Sequence, residues 1–433
     1  MDWAPALYMV RVDGHLGAMT LSAFPGMTSQ PKGTYTVLTG WLDQSGLYGV
    51  LAEMEALGLV LLEVRQLEPR GKSLESRDDL PPPDGDPWRR HELADAHGQQ
   101  VRAPRIQGEI VTSPATDVPD LPEYAPVPAI AKGAPLNEHG YHVWQVERNL
   151  YAVTDNVYMS AFLTTPDGVV IFDAPPNIGH NIRRAVDETT AANGLTNQVT
   201  HLVYSHHHCD HQGASSLFGG DIVRIGHEET RRLLLRDDDP ARPVPDVTFS
   251  DRYTLEVGGE RVELAWHGPN HSPDNIYIHF PDHDTLMFID VVNAGWIPIY
   301  NLNLSDDVIG YTGAPAIALD YPWTHLISGH LGRVATREDV AMHQQYIADI
   351  EASSREALAS VNPGPLFGHY GENVWAGVSA YLDAVTEHAA APVIAKYTGV
   401  LGGADIEIYT RTTTFAIMQS IRLDRGPSGP IHP

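Results

Sequence analysis

The sequence predicts an α/β fold built in layers, and three observations carry that prediction. Short β-branched, apolar runs at 169–172, 199–204, 276–280 and 286–289 are flanked by helical patterns, which is how sheets covered by helices read. Several of these runs end in a histidine or aspartate, and such groups gather at strand ends in α/β sheets. A proline-rich stretch sets a small α+β pattern at the start of the chain apart from the longer regular region.

Residues 1–68 read as that small α+β module. Strands are expected at 7–12, 35–40 and 59–64. Between the last two, Asp43 and Ser45 offer N-caps to a helix with Leu47, Val50, Leu51, Met54 and Leu57 on one face, closed by Gly58. The module carries no cluster of histidines, cysteines or paired carboxylates. It reads as a partner-binding or dimerisation module, or as scaffold. Residues 69–136 form a linker or arm. Pro81, Pro82, Pro83 and Pro87, then Pro114, Pro119, Pro122, Pro126, Pro128 and Pro135, rule out a helix or a central strand. Such an arm can swap between subunits or lie over the mouth of a site. Residues 137–425 are expected to form the main α/β domain, with a C-terminal helical and strand extension. Its expected strands are 151–154, 159–164, 169–173, 199–204, 222–225, 253–257, 262–266, 276–280 and 286–290, with helices near 227–236, 336–360 and 372–389.

Composition bounds the partners. Of 433 residues, 42% are hydrophobic, enough for a sizeable core. Lys and Arg number 28 against 55 Asp and Glu, a net charge of −27, which repels phosphate backbones and anionic bilayers. Nucleic acid and membrane are therefore not expected partners, and a small molecule is. A single cysteine excludes an intrachain disulfide. With no apolar run of about 18 residues and no leader-like N-terminus, the expected location is the cytoplasm. A homo-oligomer built through the N-terminal module or arm is expected.

The chemistry concentrates in 205–211. His206-x-His208-x-Asp210-His211 puts four candidate metal ligands into six residues, between a buried strand and a helix start. Further candidates follow at strand ends. His271 sits in a tight Gly-Pro-Asn-His-Ser turn, Asp290 ends an apolar strand, and His330 follows Ser328 and Gly329. A carboxylate at the end of a buried strand is costly unless paired or bound to a metal.

This ordered set resembles the metallo-β-lactamase-fold superfamily, over about residues 140–350. The resemblance implies a four-layer αββα sandwich and a dinuclear, lactonase- or glyoxalase II-like centre. His206, His208 and His271 would hold the first metal, Asp210, His211 and His330 the second, and Asp290 would bridge them. Two divalent ions are implied, zinc first, with manganese, iron or cobalt accepted by the same donors. The implied reaction is hydrolysis of an ester, lactone or amide by a hydroxide shared between the ions, with Asp210 and Asp290 as catalytic carboxylates. Trp296, Tyr300 and Tyr311 are candidates for the substrate pocket, and Asp173 and His267 for residues supporting the ligands. His207 and Cys209 alternate with the ligands and are expected to point away. The alternatives are an iron-dependent, dioxygenase-like redox enzyme of the same fold, and a hydrolase of sulfate or phosphate esters. A nuclease is disfavoured by the acidic balance, and a scaffold by the intact ligand set.

Overall fold

The computed structural model describes residues 122–425 and, before them, 6–13, 16, 24, 27–32, 35–42, 50, 54, 59 and 61–67. The chain divides into two compact units, 1–111 and 112–433.

The first unit is a four-stranded antiparallel sheet in the order β2-β3-β1-β4. Its strands are β1 (Ala6–Asp13), β2 (Thr28–Lys32), β3 (Tyr35–Leu42) and β4 (Leu61–Leu67). Val10 and Val12 of β1 alternate inward onto Phe24, Leu38 and Met54. Val50 and Met54, four apart, are helical as the spacing predicts. The rest of that expected helix, with Asp43, Ser45, Leu47, Leu51, Leu57 and Gly58, lies outside the described residues. So do the prolines from Pro81 to Pro119. Two features differ from the sequence reading. β2 was not expected, and its Pro31 is accommodated because β2 is an edge strand. The last strand starts two residues later than expected and leaves Leu61, Leu62 and Val64 exposed.

The second unit is a four-layer αββα sandwich. One sheet has seven strands in the order β11-β10-β9-β8-β7-β6-β5. These are β5 (His142–Glu147), β6 (Leu150–Thr154), β7 (Met159–Thr165), β8 (Gly168–Phe172), β9 (Val199–Val203), β10 (Val223–His227) and β11 (Val247–Phe249). The other has five in sequence order: β12 (Arg252–Val257), β13 (Glu260–Ala265), β14 (Tyr277–Phe280), β15 (Thr285–Met287) and β16 (His325–Ile327). The two-residue period of the strands builds the layers. Val170 and Phe172 of β8 face the inter-sheet core with Ile278 and Phe280 of β14, Met287 and Ile327. Their neighbours Val169 and Ile171 face outward onto Ile182 and Val186 of helix α1 (Gly179–Asn193). On the far side, Tyr277, Leu286 and Leu326 face the helical layer. After α2 (Cys209–Gln212), α3 (Glu228–Asp237) and the short turn α4 (Tyr300–Leu304), that layer comprises α5 (Val308–Asp320), α6 (Arg337–Ser360), α7 (Gly364–Tyr370), α8 (Val374–Tyr397) and α9 (Glu407–Leu423). Helix α6 begins where Thr336 and Asp339 close a capping box. Helix α8 runs eight residues past the expected end at 389, carrying Pro392 inside it. Among the described residues no helix is long and apolar enough to cross a membrane.

Residues 122–136 form no helix or strand apart from one 3-10 turn, Ala129–Ala131, and this segment is pinned to loops of the sandwich. The Ala134 amide donates to the Gly332 carbonyl (3.3 Å) and Asn156 Nδ2 donates to the Ala134 carbonyl (3.0 Å). Trp296 Nε1 donates to the Ala131 carbonyl (2.8 Å) and Arg333 Nε to that of Ile130 (2.6 Å).

Candidate metal centre

Four segments at one end of the sheets bring the seven candidates together. Strand β9 ends at Val203, and the loop after it enters α2 with His206, His208, Asp210 and His211 on the way. The turn before β14 carries His271. Its shape is set by Asn270 Oδ1, which accepts from the His271 amide (2.7 Å) and from Asn275 Nδ2 (2.9 Å). Asp290 lies three residues beyond β15, not at the strand's last position, and holds a left-handed backbone at φ +65°. His330 follows Gly329, whose φ of +85° and closeness to Ile289 (2.6 Å from a built Cβ) demand glycine.

The ligand atoms converge. Asp290 Oδ2 lies 3.4 Å from His206 Nε2, 3.0 Å from His211 Nε2 and 3.2 Å from His271 Nε2. Its other oxygen, Oδ1, lies 3.0 Å from His330 Nε2. Asp210 Oδ2 is 3.7 Å from His211 Nε2 and 3.8 Å from His330 Nε2. Two groups with donor atoms within 4.8 Å of one another result: His206, His208, His271 and Asp290, and Asp210, His211 and His330.

Hydrogen bonds fix the ring tautomers. Ser205 Oγ donates to Asp173 Oδ2 (2.6 Å), so it can only accept from His206 Nδ1 (2.9 Å), which leaves the His206 Nε2 lone pair free. His330 Nδ1 donates to the Val157 carbonyl (3.1 Å), leaving its Nε2 free as well. Asp173, buried and at φ +62°, also accepts from the Ser205 amide (2.8 Å) and from Gln212 Nε2. It thus supports the ligand loop without itself joining the cluster, as expected for a residue that orients ligands.

The donor set fits divalent metal. His206 Nε2 and Asp290 Oδ1 are buried with no hydrogen-bond partner, an arrangement a polar atom tolerates only if something else satisfies it. Ring nitrogens face each other at 3.1 Å in two pairs, His208 with His271 and His211 with His330. Burial, and for His206 the neighbouring imidazoles, lower His206 far below the ordinary histidine value and His271 to about 4, so both are neutral and ligand-competent. Burial would raise Asp290, but the imidazoles of His211, His330 and His271 hold it ionised. Burial would lower His211, but Asp290, Asp210 and Asp173 raise it to about 9. Those carboxylates call for positive charge at that spot, which a metal ion supplies.

A cavity of about 420 Å³ opens above the cluster. His208, Asp210, His271, Asp290 and His330 form its floor; Val157, Asn293, Trp296, Ile297, Ile299, Asn303, Leu304 and Leu331 form its walls. Of the three expected pocket aromatics, only Trp296 lines it. Tyr300 is exposed and packs edge-on against Tyr409. Tyr311 is fully buried in the helical layer, its hydroxyl donating to the Val291 carbonyl (2.7 Å). A bulky aromatic on a helix facing a sheet is drawn into the core, and Tyr311 follows that rule. His267 does not support the cluster either: it is exposed, bonds the Tyr321 hydroxyl (2.7 Å) and packs on Tyr277 on the outer side of the five-stranded sheet. His207 points away, to Asp274 Oδ1 (2.9 Å), and Cys209 is exposed. The wall residues Val157, Asn293, Ile297, Ile299, Leu304 and Leu331 carry no chemical signature in the sequence. Asn303 does double service. Its Nδ2 donates to the Asp290 carbonyl (2.9 Å) and its Oδ1 accepts from the Ile299 amide (2.8 Å), tying the wall to the carboxylate at the centre.

Residues 154–361 match the family model of the metallo-beta-lactamase superfamily, and residues 7–65 match a domain of unknown function (DUF8691). The chain is similar to the 2,4-dinitroanisole O-demethylase subunit alpha of Nocardioides sp. (strain JS1661), 27% identical over 199 residues, 45% of this chain and 58% of that protein. It is also similar to the probable metallo-hydrolase YqjP of Bacillus subtilis (strain 168), 31% identical over 77 residues, 18% of this chain and 23% of that protein. The match thus spans little more than half of the first relative and about a quarter of the second. Among solved structures, a metallo-beta-lactamase from Pontibacter korlensis aligns with a TM-score of 0.40 and 18% identity, covering 47% of this chain and 97% of that one. Residues 154–361 of this chain belong to the metallo-beta-lactamase superfamily.

Proposed function

We propose that this chain is a hydrolase that holds two divalent metal ions, zinc first, and cleaves an ester, lactone or amide bond of a small molecule. The observation that carries the reading is Asp290, whose two oxygens reach four histidine nitrogens from three separate segments while Oδ1 has no other partner. His206, His208 and His271 would hold one ion, Asp210, His211 and His330 the other, and Asp290 would bridge. Bound there, such ions lower the pKa of water toward neutrality and polarise a carbonyl oxygen. The chain's own residues do the rest. Asp210, partly exposed at the cavity floor, takes the proton of the attacking water and returns it to the departing oxygen or nitrogen. Asp173 and Ser205 keep His206 in the tautomer that presents Nε2.

The Nocardioides relative supports a second reading, removal of an O-methyl group from an electron-poor aryl ether. In hydrolytic form, water enters and a phenol and methanol leave. A redox route with iron, dioxygen and a two-electron donor would release the phenol, formaldehyde and water instead.

The test is metal analysis of the purified protein, paired with a panel of lactones, aryl esters, amides and aryl methyl ethers. Two metals per chain and turnover of one class are expected, with methanol the product of any ether. His208→Ala and Asp290→Ala should each lose metal and at least about 100-fold in turnover. Wild-type metal content and rate in both variants would refute the assignment.

A further inference from the structure

The walls of the cavity say which molecules it accepts. Above the floor they are apolar, built from Trp296, Ile297, Ile299, Leu304, Leu331 and Val157. No arginine or lysine is among the described residues that line the cavity, so above the floor no side-chain cation could pair with a carboxylate, sulfate or phosphate carried on the non-reacting part of the substrate. Arg333, three residues past His330, is committed elsewhere: Nη1 and Nη2 clamp Asp339 at 2.8 and 2.6 Å, and Nε donates to the Ile130 carbonyl. The apolar character continues to the mouth, where Val157, Ile299 and Leu304 are 53, 42 and 60% exposed. A net charge of −27 adds a field that disfavours anions.

The polar wall residues are mostly consumed internally. Asn303 spends its amide on the Asp290 carbonyl, the Tyr311 hydroxyl and the Ile299 amide. Asn293 Nδ2 is spent on the Ile297 carbonyl (3.4 Å) and Asn303 Oδ1 (3.2 Å).

Trp296 is the best-held of the walls. Its indole nitrogen is tied to the Ala131 carbonyl, and a Cβ on Gly402 would sit 2.4 Å from Cδ2, so the backbone of Gly402 lies flat against the ring. Residues Tyr124–Pro128 line a second cavity of about 200 Å³, which Trp296 also lines. An indole fixed in this way offers a preorganised aromatic wall at little entropic cost.

We propose that the substrate is an uncharged aromatic compound whose non-reacting ring packs against Trp296, and that Trp296 is a specificity-determining residue. This rests on the hydrolase reading only for the reacting bond. An engineered cavity of about 150 Å³ takes benzene, so about 420 Å³ has room for a ring with substituents as well as the reacting group.

The test has two arms on the full-length, metal-replete protein. The first compares kcat/KM for phenyl acetate and 4-sulfophenyl acetate, whose reacting esters are alike. The second reads binding without turnover, by saturation-transfer NMR with anisole and with benzenesulfonate. The proposal expects the neutral ester to be preferred at least about 10-fold, and anisole but not benzenesulfonate to show transfer. Trp296→Ala should raise KM about 10-fold or more with little change in kcat, while Trp296→Phe stays within a few-fold, the difference expected from losing a buried ring. Circular dichroism and metal content check that both variants fold. Equal or better handling of the sulfonates, or unchanged KM in a folded Trp296→Ala, would overturn the proposal. Anisole binding with the expected discrimination, but no turnover of any ester or ether, would leave the proposal standing and remove the hydrolase reading. Turnover without discrimination would do the reverse.

Discussion

At the scale of single residues, the histidines separate by what surrounds them. Those of the cluster have acceptors or carboxylates arranged around at least one nitrogen. His343, on α6, has none: among the described residues neither ring nitrogen has a partner, the ring is buried and it packs near Tyr311. Burial lowers it to about 4, against 6.5 for a free histidine. The sign follows from linkage. Between pH 6.5 and 4 the unfolded chain binds a proton there and the folded chain does not. His343 therefore favours the fold fully above pH 6.5, and that contribution drains away as pH falls to 4, by roughly 3 kcal/mol. His343→Leu should flatten urea-unfolding stability over this window relative to wild type and leave pH 8 little changed. Parallel curves for the two proteins between pH 4 and 6.5 would mean that His343 is not buried neutral. The same contrast explains what could be read from sequence at this scale. His206, His208, Asp210 and His211 stand within six residues and announce themselves, whereas the pocket walls are ordinary apolar side chains whose role depends on the loop that carries them. Tyr311 resembled Trp296 as a sequence feature, and only helix packing separates the two.

At the scale of elements, most strands of the sandwich were legible because burial on both faces requires continuous apolar runs, as in β8, whereas β5 and the three-residue β11 were not expected. Helix α5 was not, since Pro315 inside it breaks the usual pattern, and Pro392 likewise hides the end of α8. The element no pattern could have indicated is α4. Asn301, Leu302, Asn303 and Leu304 hold φ of 47°, 58°, 56° and 61°, a left-handed turn without a glycine. L-residues pay about 1–2 kcal/mol each for that conformation, so something must hold it. Buried Leu302 and the Asn303 bonds to Asp290, Tyr311 and Ile299 do so, and the turn in return presents Leu304 to the cavity. Strain stored beside a site in this way is a feature of functional loops. Leu304 is largely exposed, so replacing it with glycine removes strain and little packing. Leu304→Gly should raise stability by about 1 kcal/mol, seen as a higher Tm, while weakening anisole binding. A lower Tm would show that the backbone there is not strained.

At the scale of the whole molecule, the cluster, its cavity and the segment 122–136 all lie in the unit 112–433, which has its own cores between and outside the sheets. A fragment beginning at Thr112 should therefore fold, hold metal as the full chain does and melt within a few degrees of it. A fragment beginning at Asn137 keeps every cluster residue and every strand of the sandwich but loses the segment that braces the cavity rim. The partners of Trp296 Nε1, Arg333 Nε, Asn156 Nδ2 and the Gly332 carbonyl go with it. At about 1 kcal/mol for each bond, the shorter fragment should melt roughly 10 °C lower. Its metal content should be unchanged, because no cluster residue precedes His206. Its anisole signal should fall, because Trp296 loses the contact that fixes its ring. The two fragments thus separate the metal centre from the pocket above it. Equal melting and equal anisole binding would mean that the segment only lies along the surface, and joint loss of metal and arene binding would mean that it holds the whole site together.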